Sequence, residues 1–312
     1  MSLKKLMSIL CMLAISLLIF AACESDDPPD PPVEETDINV LPVGTLYAGQ
    51  TGNNEITIEW AASPSKDSTW FEGYELMMSD LVVATVGKEQ FQHSFGSLDA
   101  SSSYTFKVVA LGKNVDTIVR STAKEVQWAL ATHFTLNENS APIFVYTRES
   151  ADYGSGLQLF GPADAPRIRR VSNGADWNIA VGSKDNLRIG SALAARDSVP
   201  FNLTGTPTHN SEITAPINFD TDALNSLLLD RDLSQLSYTN RLINLATDPI
   251  AQNANKGIVF FARTNNHYAK IVVLKNGDGG GYLHAANSNN PYVHFLVSYQ
   301  TRQGVPFAKP TN

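Results

Sequence analysis

Tyr104-Thr-Phe-Lys-Val-Val-Ala110 carries the plainest strand signal in this chain. Tyr104, Phe106, Val108 and Ala110 fall at every second position, the period of a strand with one face in a core. The same period appears outward on both sides. Glu55-Ile-Thr-Ile-Glu-Trp60 places Ile56, Ile58 and Trp60 on one face. Phe71-Glu-Gly-Tyr-Glu-Leu-Met continues with Tyr74 and Leu76, and Leu81 to Val86 is a further strand. Short strands at this spacing, broken by turn residues, predict a β-sandwich over residues 39–131. Helical periodicity is nearly absent from the whole chain, so the expected fold class is all-β.

Trp60, Tyr74, and Leu98 followed by Tyr104-x-Phe106-x-Val108-x-Ala110 resemble a fibronectin type III domain over about ninety residues. The resemblance implies a tyrosine corner, with the Tyr104 hydroxyl bonded to the backbone near Leu98. Core packing is the expected role of Trp60 and Tyr104, with ligand stacking as the competing reading. No Arg-Gly-Asp string occurs, so nothing assigns adhesion to this module, and a spacer or docking role is expected.

Residues 132–312 form a second unit. Strands are expected at Pro142 to Tyr146, Leu157 to Phe160, Trp177 to Val181, Leu187 to Ile189, Gly257 to Arg263, Tyr268 to Leu274 and Tyr292 to Tyr299. Asp220-Thr-Asp-Ala-Leu-Asn-Ser-Leu-Leu offers a capped helix with Leu224, Leu227 and Leu228 on one stripe. The unit therefore reads as mainly β with at most one or two short helices. Asp176-Trp-Asn-Ile-Ala-Val181 and Gly257-Ile-Val-Phe-Phe-Ala-Arg-Thr-Asn-Asn-His-Tyr-Ala-Lys-Ile-Val-Val273 resemble strings of HmuY-like haem-binding surface lipoproteins. The resemblance implies fold and setting. No haem-ligand histidine carries over from it residue by residue.

The first 22 residues have a short basic start (Lys4, Lys5), an apolar run from Leu6 to Phe20, and small residues Ala21 and Ala22. This is the pattern of an export signal, too short to remain as a membrane span. Phe20-Ala21-Ala22-Cys23 resembles the lipobox of bacterial lipoproteins, which implies cleavage before Cys23 and acylation of its thiol, with palmitate among the chains. Two chains on one residue meet the requirement for stable anchoring. Residues 23–38 are acidic and proline-rich, cannot bury a core, and read as an extended tether. Cys-Glu-Ser-Asp-Asp also resembles the export signal of Bacteroidetes-type surface lipoproteins, which implies an outer-membrane, cell-surface location with the membrane itself as a partner.

The remaining composition narrows the function. The chain has 23 basic and 31 acidic residues for a net charge of −8, and loss of Lys4 and Lys5 with the signal takes it to −10. The one close basic cluster is Arg167, Arg169 and Arg170, so nucleic acid is not an expected partner. The two cysteines are Cys11, within the signal, and Cys23. Thiol catalysis and a cysteine metal site are thereby excluded from the mature chain.

No catalytic motif emerges. Gly154-Ser-Gly156 lacks the nucleophile elbow, Asn276-Gly-Asp-Gly-Gly-Gly281 lacks the Lys-Ser/Thr of a phosphate loop, and Asp220, Asp222, Asp230 and Asp232 show no pairing. The expected function is non-enzymatic recognition of a glycan or protein, with no cofactor. Tyr282, Asn287, Asn289, Asn290 and Tyr292 put sugar-binding chemistry on one loop. Trp177 with Asn173 and Asn178 forms a second candidate, for which core packing is the competing reading. Among His133, His209, His267, His284 and His294, the pair His284 and His294 flanks the Gly/Asn-rich loop and supports the alternative of haem binding.

Overall fold

The computed structural model describes residues 37–52, 54–159, 165–172, 176–183, 186–196, 207, 210–219, 236–277 and 280–305. The chain is all-β. Its described helices are α1 (Ala192–Arg196) and α2 (Pro249–Asn253), five residues each, in keeping with the expected one or two short helices. The helix expected at Asp220 to Leu228 lies outside the described residues, as do Cys23, the signal and nearly all of the tether.

The N-terminal strands are β1 (Leu46–Gly52), β2 (Glu55–Trp60), β3 (Phe71–Met78), β4 (Leu81–Gly87), β5 (Gln92–Phe95), β6 (Ser103–Asn114), β7 (Thr117–Arg120) and β8 (Lys124–Ala129). They form a three-stranded sheet, β1-β2-β5, and a five-stranded sheet, β4-β3-β6-β7 with β8 also on β6. The alternation read from the sequence sets the core. Ile56, Ile58 and Trp60 from β2 meet Tyr74, Leu76, Phe106 and Val108 from the other sheet, all essentially inaccessible. Each such side chain contributes about 1.5–3 kcal/mol of burial. Trp60 and Phe71 meet Tyr74 edge-on, with centroids 5.6 and 5.4 Å away. The Tyr104 hydroxyl accepts the Asp99 N–H at 2.7 Å, next to Leu98 as expected. β4 forms as expected, but at the sheet edge, leaving Leu81, Val82 and Val83 exposed.

The C-terminal strands are β9 (Thr132–Phe134), β10 (Ile143–Tyr146), β11 (Gly156–Gln158), β12 (Arg167–Arg169), β13 (Ile179–Gly182), β14 (Arg188–Ser191), β15 (Glu212–Ile213), β16 (Ile217–Phe219), β17 (Leu242–Asn244), β18 (Gly257–Thr264), β19 (His267–Leu274) and β20 (Tyr292–Tyr299). A seven-stranded sheet runs β10-β20-β19-β18-β15, with β9 also on β20 and β16 also on β18. A five-stranded sheet runs β12-β11-β13-β14-β17. The β18–β19 hairpin is in register from Gly257↔Leu274 to Thr264↔His267. Asn265 and Asn266 turn it with φ of 48° and 61°, the left-handed pair that a two-residue hairpin needs. Between the two sheets lies a core that includes Ile143, Leu157, Ile179, Ile189, Phe260 and Phe295.

The two halves share buried surface. The opposite face of the large sheet, through Val259, Phe261 and Val272, belongs to the same apolar cluster as Trp60, Trp128 and Leu130. Polar side chains seal the join. Gln50, 1% exposed, accepts the Ala131 N–H on Oε1 at 2.7 Å and donates from Nε2 to Gly52 O at 3.1 Å. Its Nε2 also lies 3.1 Å from His133 Nε2, while His133 Nδ1 lies 2.9 Å from Ser298 Oγ. Since Oε1 is taken by a donor, Nε2 is the donor toward His133, which places the imidazole proton on Nδ1. Gln300 Nε2 donates to Ala129 O at 2.8 Å.

Candidate functional site

The alternation of β10 and β20 and their register build the site. Ile143 and Val145 point into the core, so Phe144 and Tyr146 must emerge on the opposite face. On β20, Val293 and Phe295 are buried, so Tyr292 and His294 share that outer face. The register pairs Phe144 with His294 and Tyr146 with Tyr292. Four rings are thereby forced together. Phe144 stacks on Tyr292 at 4.0 Å and meets His294 edge-on at 5.0 Å. Tyr146 lies 5.8 Å from Tyr292 and 4.4 Å from Tyr153. His284 stacks on Tyr292 at 5.3 Å. The result is a strip of half-buried aromatic rings along the outer face of the sheet.

One end of the strip opens into a cleft of about 270 Å3. Phe144, Tyr146 and Tyr153 supply flat apolar walls, and Asn137, Asn139, Asp152 and Arg170 supply polar groups. The loops that carry these groups are tied down by main-chain bonds. Asn137 Oδ1 accepts the N–H groups of Asn139 and Ala141. The Glu149 carboxylate accepts the N–H groups of Ser155, Val171 and Ser172, joining the turn before β11 to the turn after β12. Gly154 is required at this junction, because a Cβ there would sit 2.2 Å from Arg169 O. The pair Gly154 and Gly156 thus serves close backbone packing, with the Gly156 Cβ position 2.8 Å from Val171.

Burial governs the electrostatics of the strip. Burial, followed by neighbouring Tyr153 and Tyr292, pushes the Tyr146 hydroxyl up, so it stays a neutral donor at ordinary pH. Burial, followed by neighbouring His284, holds His294 below the usual imidazole value. A neutral aromatic surface with a few oriented polar groups can stack on an apolar ligand face and bond to its hydroxyls or amides.

The residues expected from sequence divide sharply. Tyr292 sits at the centre of the strip. Asn287 and Asn289 are exposed in the loop before it, which the paired bonds of His284 N to Tyr292 O (2.8 Å) and Tyr292 N to His284 O (3.2 Å) close. Tyr282 is not a ligand platform. It is 4% exposed, its hydroxyl donates to Ala251 O at 2.9 Å, and Lys275 Nζ lies 5.3 Å from its ring centroid. A second cleft of about 330 Å3 beside it takes in Lys275, whose ammonium is engaged by Ala254 O. Trp177 is likewise corrected. It is 0% exposed and packs with Val171, Ala180, Ala192 and Ala195. Its neighbour Asn178, also inaccessible, accepts the Leu159 N–H at 2.7 Å and donates to Ser211 Oγ at 2.8 Å. The tryptophan-asparagine string is therefore a packing knot, and Asn173 lies outside the described residues.

His284 and His294 come together, but they do not face across an open slot. Their centroids are 5.9 Å apart at 80°, each ring packs on another aromatic, and His284 Nε2 lies 3.2 Å from Leu274 O. His133 sits in the join between the halves, and His209 lies outside the described residues. Among the described residues no group of three or more His, Cys, Asp or Glu is placed to hold a metal, and no helix is long and apolar enough to cross a membrane.

Phe144, Tyr146, Tyr153, Asn137, Asn139, Asp152 and Arg170, which line the cleft, were not among the candidates read from the sequence. The strand itself was expected, and its signal was present. Ile143-Phe-Val-Tyr146 has apolar residues on both faces, so one aromatic pair must leave the core.

No family model matches the chain, and no curated protein matches it. Among solved structures, part of the chain is similar to part of the Clostridium perfringens spore cortex lytic enzyme SleM, at 18% identity over 29% of this chain and 28% of that one, with a TM-score of 0.25. Another part-length match is pectate lyase Pel3 from Pectobacterium carotovorum, at 12% identity over 30% of each chain, with a TM-score of 0.21. The matched stretches span under a third of either protein.

Proposed function

We propose that this chain is a non-enzymatic, lipid-anchored surface protein whose C-terminal half binds a glycan through the aromatic strip and its cleft. The observation that carries the reading is the row of half-buried rings Tyr153, Tyr146, Tyr292 and Phe144 beside Asn137, Asn139 and Asp152. Sugars present apolar C–H faces that stack on such rings, and hydroxyls that bond to amides and carboxylates. The N-terminal half, which resembles a fibronectin type III domain, acts as a spacer above the acidic tether. Cys23 provides the anchor to the outer membrane.

A glycan array probed with the mature protein tests the ligand class. Retention of defined saccharides by the wild type, lost in Tyr146→Ala with its melting temperature kept, supports the reading. A protein partner captured through the same strip, with no saccharide bound, replaces the glycan with the other ligand class. Turnover of a glycan or peptide, abolished by one point change, overturns the non-enzymatic assignment. For the anchor, Cys23→Ala is expected to release the protein from membranes, and continued membrane fractionation refutes it. The haem alternative rests on His284 and His294, and a shifted Soret band on titration with excess haem would revive it.

A further inference from the structure

The aromatic platform explains stacking but leaves one group in the cleft without a task. Arg170 follows β12 and lines the cleft with Tyr146, Tyr153 and Asn137. It is half-buried, and its buried Nε has no hydrogen-bond partner. Among the described residues its guanidinium forms no ion pair. Arg169 differs, since its Nε donates to Gln158 Oε1 at 2.7 Å, while Arg167 Nε is likewise unpartnered but does not line the cleft. Among the described acids around the cleft, Glu149 is occupied by three main-chain N–H groups, and Asp152 is exposed and forms no ion pair with Arg170. Glu138, between Asn137 and Asn139, has a buried Oε2 without a hydrogen-bond partner and forms no ion pair with Arg170 either.

A half-buried guanidinium without a partner forgoes hydration that nothing replaces. Its planar fork matches a carboxylate in two parallel bonds, a geometry that an ammonium cannot offer. Solvent screens the exposed Asp152 more than it screens Arg170, so Asp152 does not cancel the attraction inside the cleft. The protein's own net charge of −8 repels anions at long range, so recognition of an acid here has to be local, through this one cation.

We infer that the cleft takes a carboxylated saccharide, a uronic or sialic acid residue, with Arg170 clamping the carboxylate. Tyr146 and Tyr153 stack on the ring, and Asn137, Asn139 and Asp152 meet the hydroxyls. This rests on the glycan reading of the strip and deepens it. It also gives Arg170 a role that a neutral-sugar site would leave empty.

The test uses the mature protein and an array of uronic-acid and sialic-acid oligosaccharides, each beside its carboxyl-reduced counterpart. The expected result is at least tenfold tighter binding of the carboxylated member of a pair. Arg170→Gln removes that preference, bringing the two members of a pair to equal affinity, while Arg170→Lys restores only part of it. Thermal unfolding of each variant confirms that it is folded. Equal binding within pairs, or a preference that survives Arg170→Gln, overturns the carboxylate clamp while leaving the glycan reading in place. Binding of no saccharide on the array overturns both.

Discussion

Gln50 offers the sharpest test of how the two halves are joined. Its side chain is 1% exposed and serves the Ala131 N–H, Gly52 O and His133 at once. Gln50→Ala leaves the buried Ala131 N–H without its acceptor, which costs about 1–3 kcal/mol. Loss of the bond to Gly52 O adds about 1 kcal/mol. His133 keeps Ser298 Oγ as a partner, so its share of the loss is small. The sum is roughly 2–4 kcal/mol, or a fall in melting temperature on the order of 5–15 °C for a unit of this size. Gln50→Glu separates the contributions. It keeps the acceptor for Ala131 and places a carboxylate 3 Å-scale close to His133, so it raises the folded-state pKa of that imidazole above its unfolded value of about 6.5. The stabilisation from that pair is present below the unfolded pKa and is lost as pH rises through the folded one. Gln50→Glu should therefore lie closer to wild type at pH 5.5 than at pH 8.5, whereas Gln50→Ala should show no such recovery. Thermal unfolding followed by tryptophan fluorescence reads both, because Trp128 belongs to the shared apolar cluster. If Gln50→Ala melts within 1 °C of wild type, the join is not held as argued.

Two further outcomes follow from the same geometry. Trp177→Ala removes an inaccessible ring from its packing against Val171, Ala180, Ala192 and Ala195 and should cost about 3–5 kcal/mol in chemical unfolding, with no change in ligand affinity of the folded protein. Weakened binding at unchanged stability would return Trp177 to the surface. His294, held below the usual imidazole value by burial and His284, takes up its proton more readily in the unfolded chain, so stability should fall as pH drops through the unfolded value toward the folded one. His294→Gln should lose less melting temperature between pH 7.5 and 5 than wild type does, and an identical loss would count against the shift; His93, also lowered by burial, contributes to the drop that remains.

The strands longest in residues were the most legible in the sequence. Tyr292 to Tyr299 was expected and is β20 residue for residue, and the expected Gly257–Arg263 and Tyr268–Leu274 differ from β18 and β19 by one residue each. Near-continuous apolar runs in β18 and β19, with an Asn-Asn turn between them, and the largely alternating burial of β20 leave little choice. β9, β12, β15, β16 and β17 have two or three residues each, too few for any period, and their pairing is decided by the long strands they join. The site was only partly legible. Tyr292 was expected to be accessible because its neighbours are polar, and it lies half-buried against Phe144. Tyr282 and Trp177 misled because an aromatic next to Asn or His reads the same whether its polar tip meets solvent or a buried carbonyl. Tyr146, Tyr153 and Arg170 come from separate loops and strands, and only the β10–β20 register and the Glu149 tie bring them to one cleft.

The measurement that bears most directly on the account is a calorimetric titration of the best array saccharide into wild type, Tyr146→Ala and Tyr153→Ala. Stacking on an aromatic ring is worth about 1–3 kcal/mol per ring by analogy with base stacking, so each variant should bind roughly ten- to hundredfold more weakly. Both should melt close to wild type, since the two rings are half-buried and not part of either core. Wild-type affinity in both variants would contradict the assignment of the aromatic strip as the binding surface.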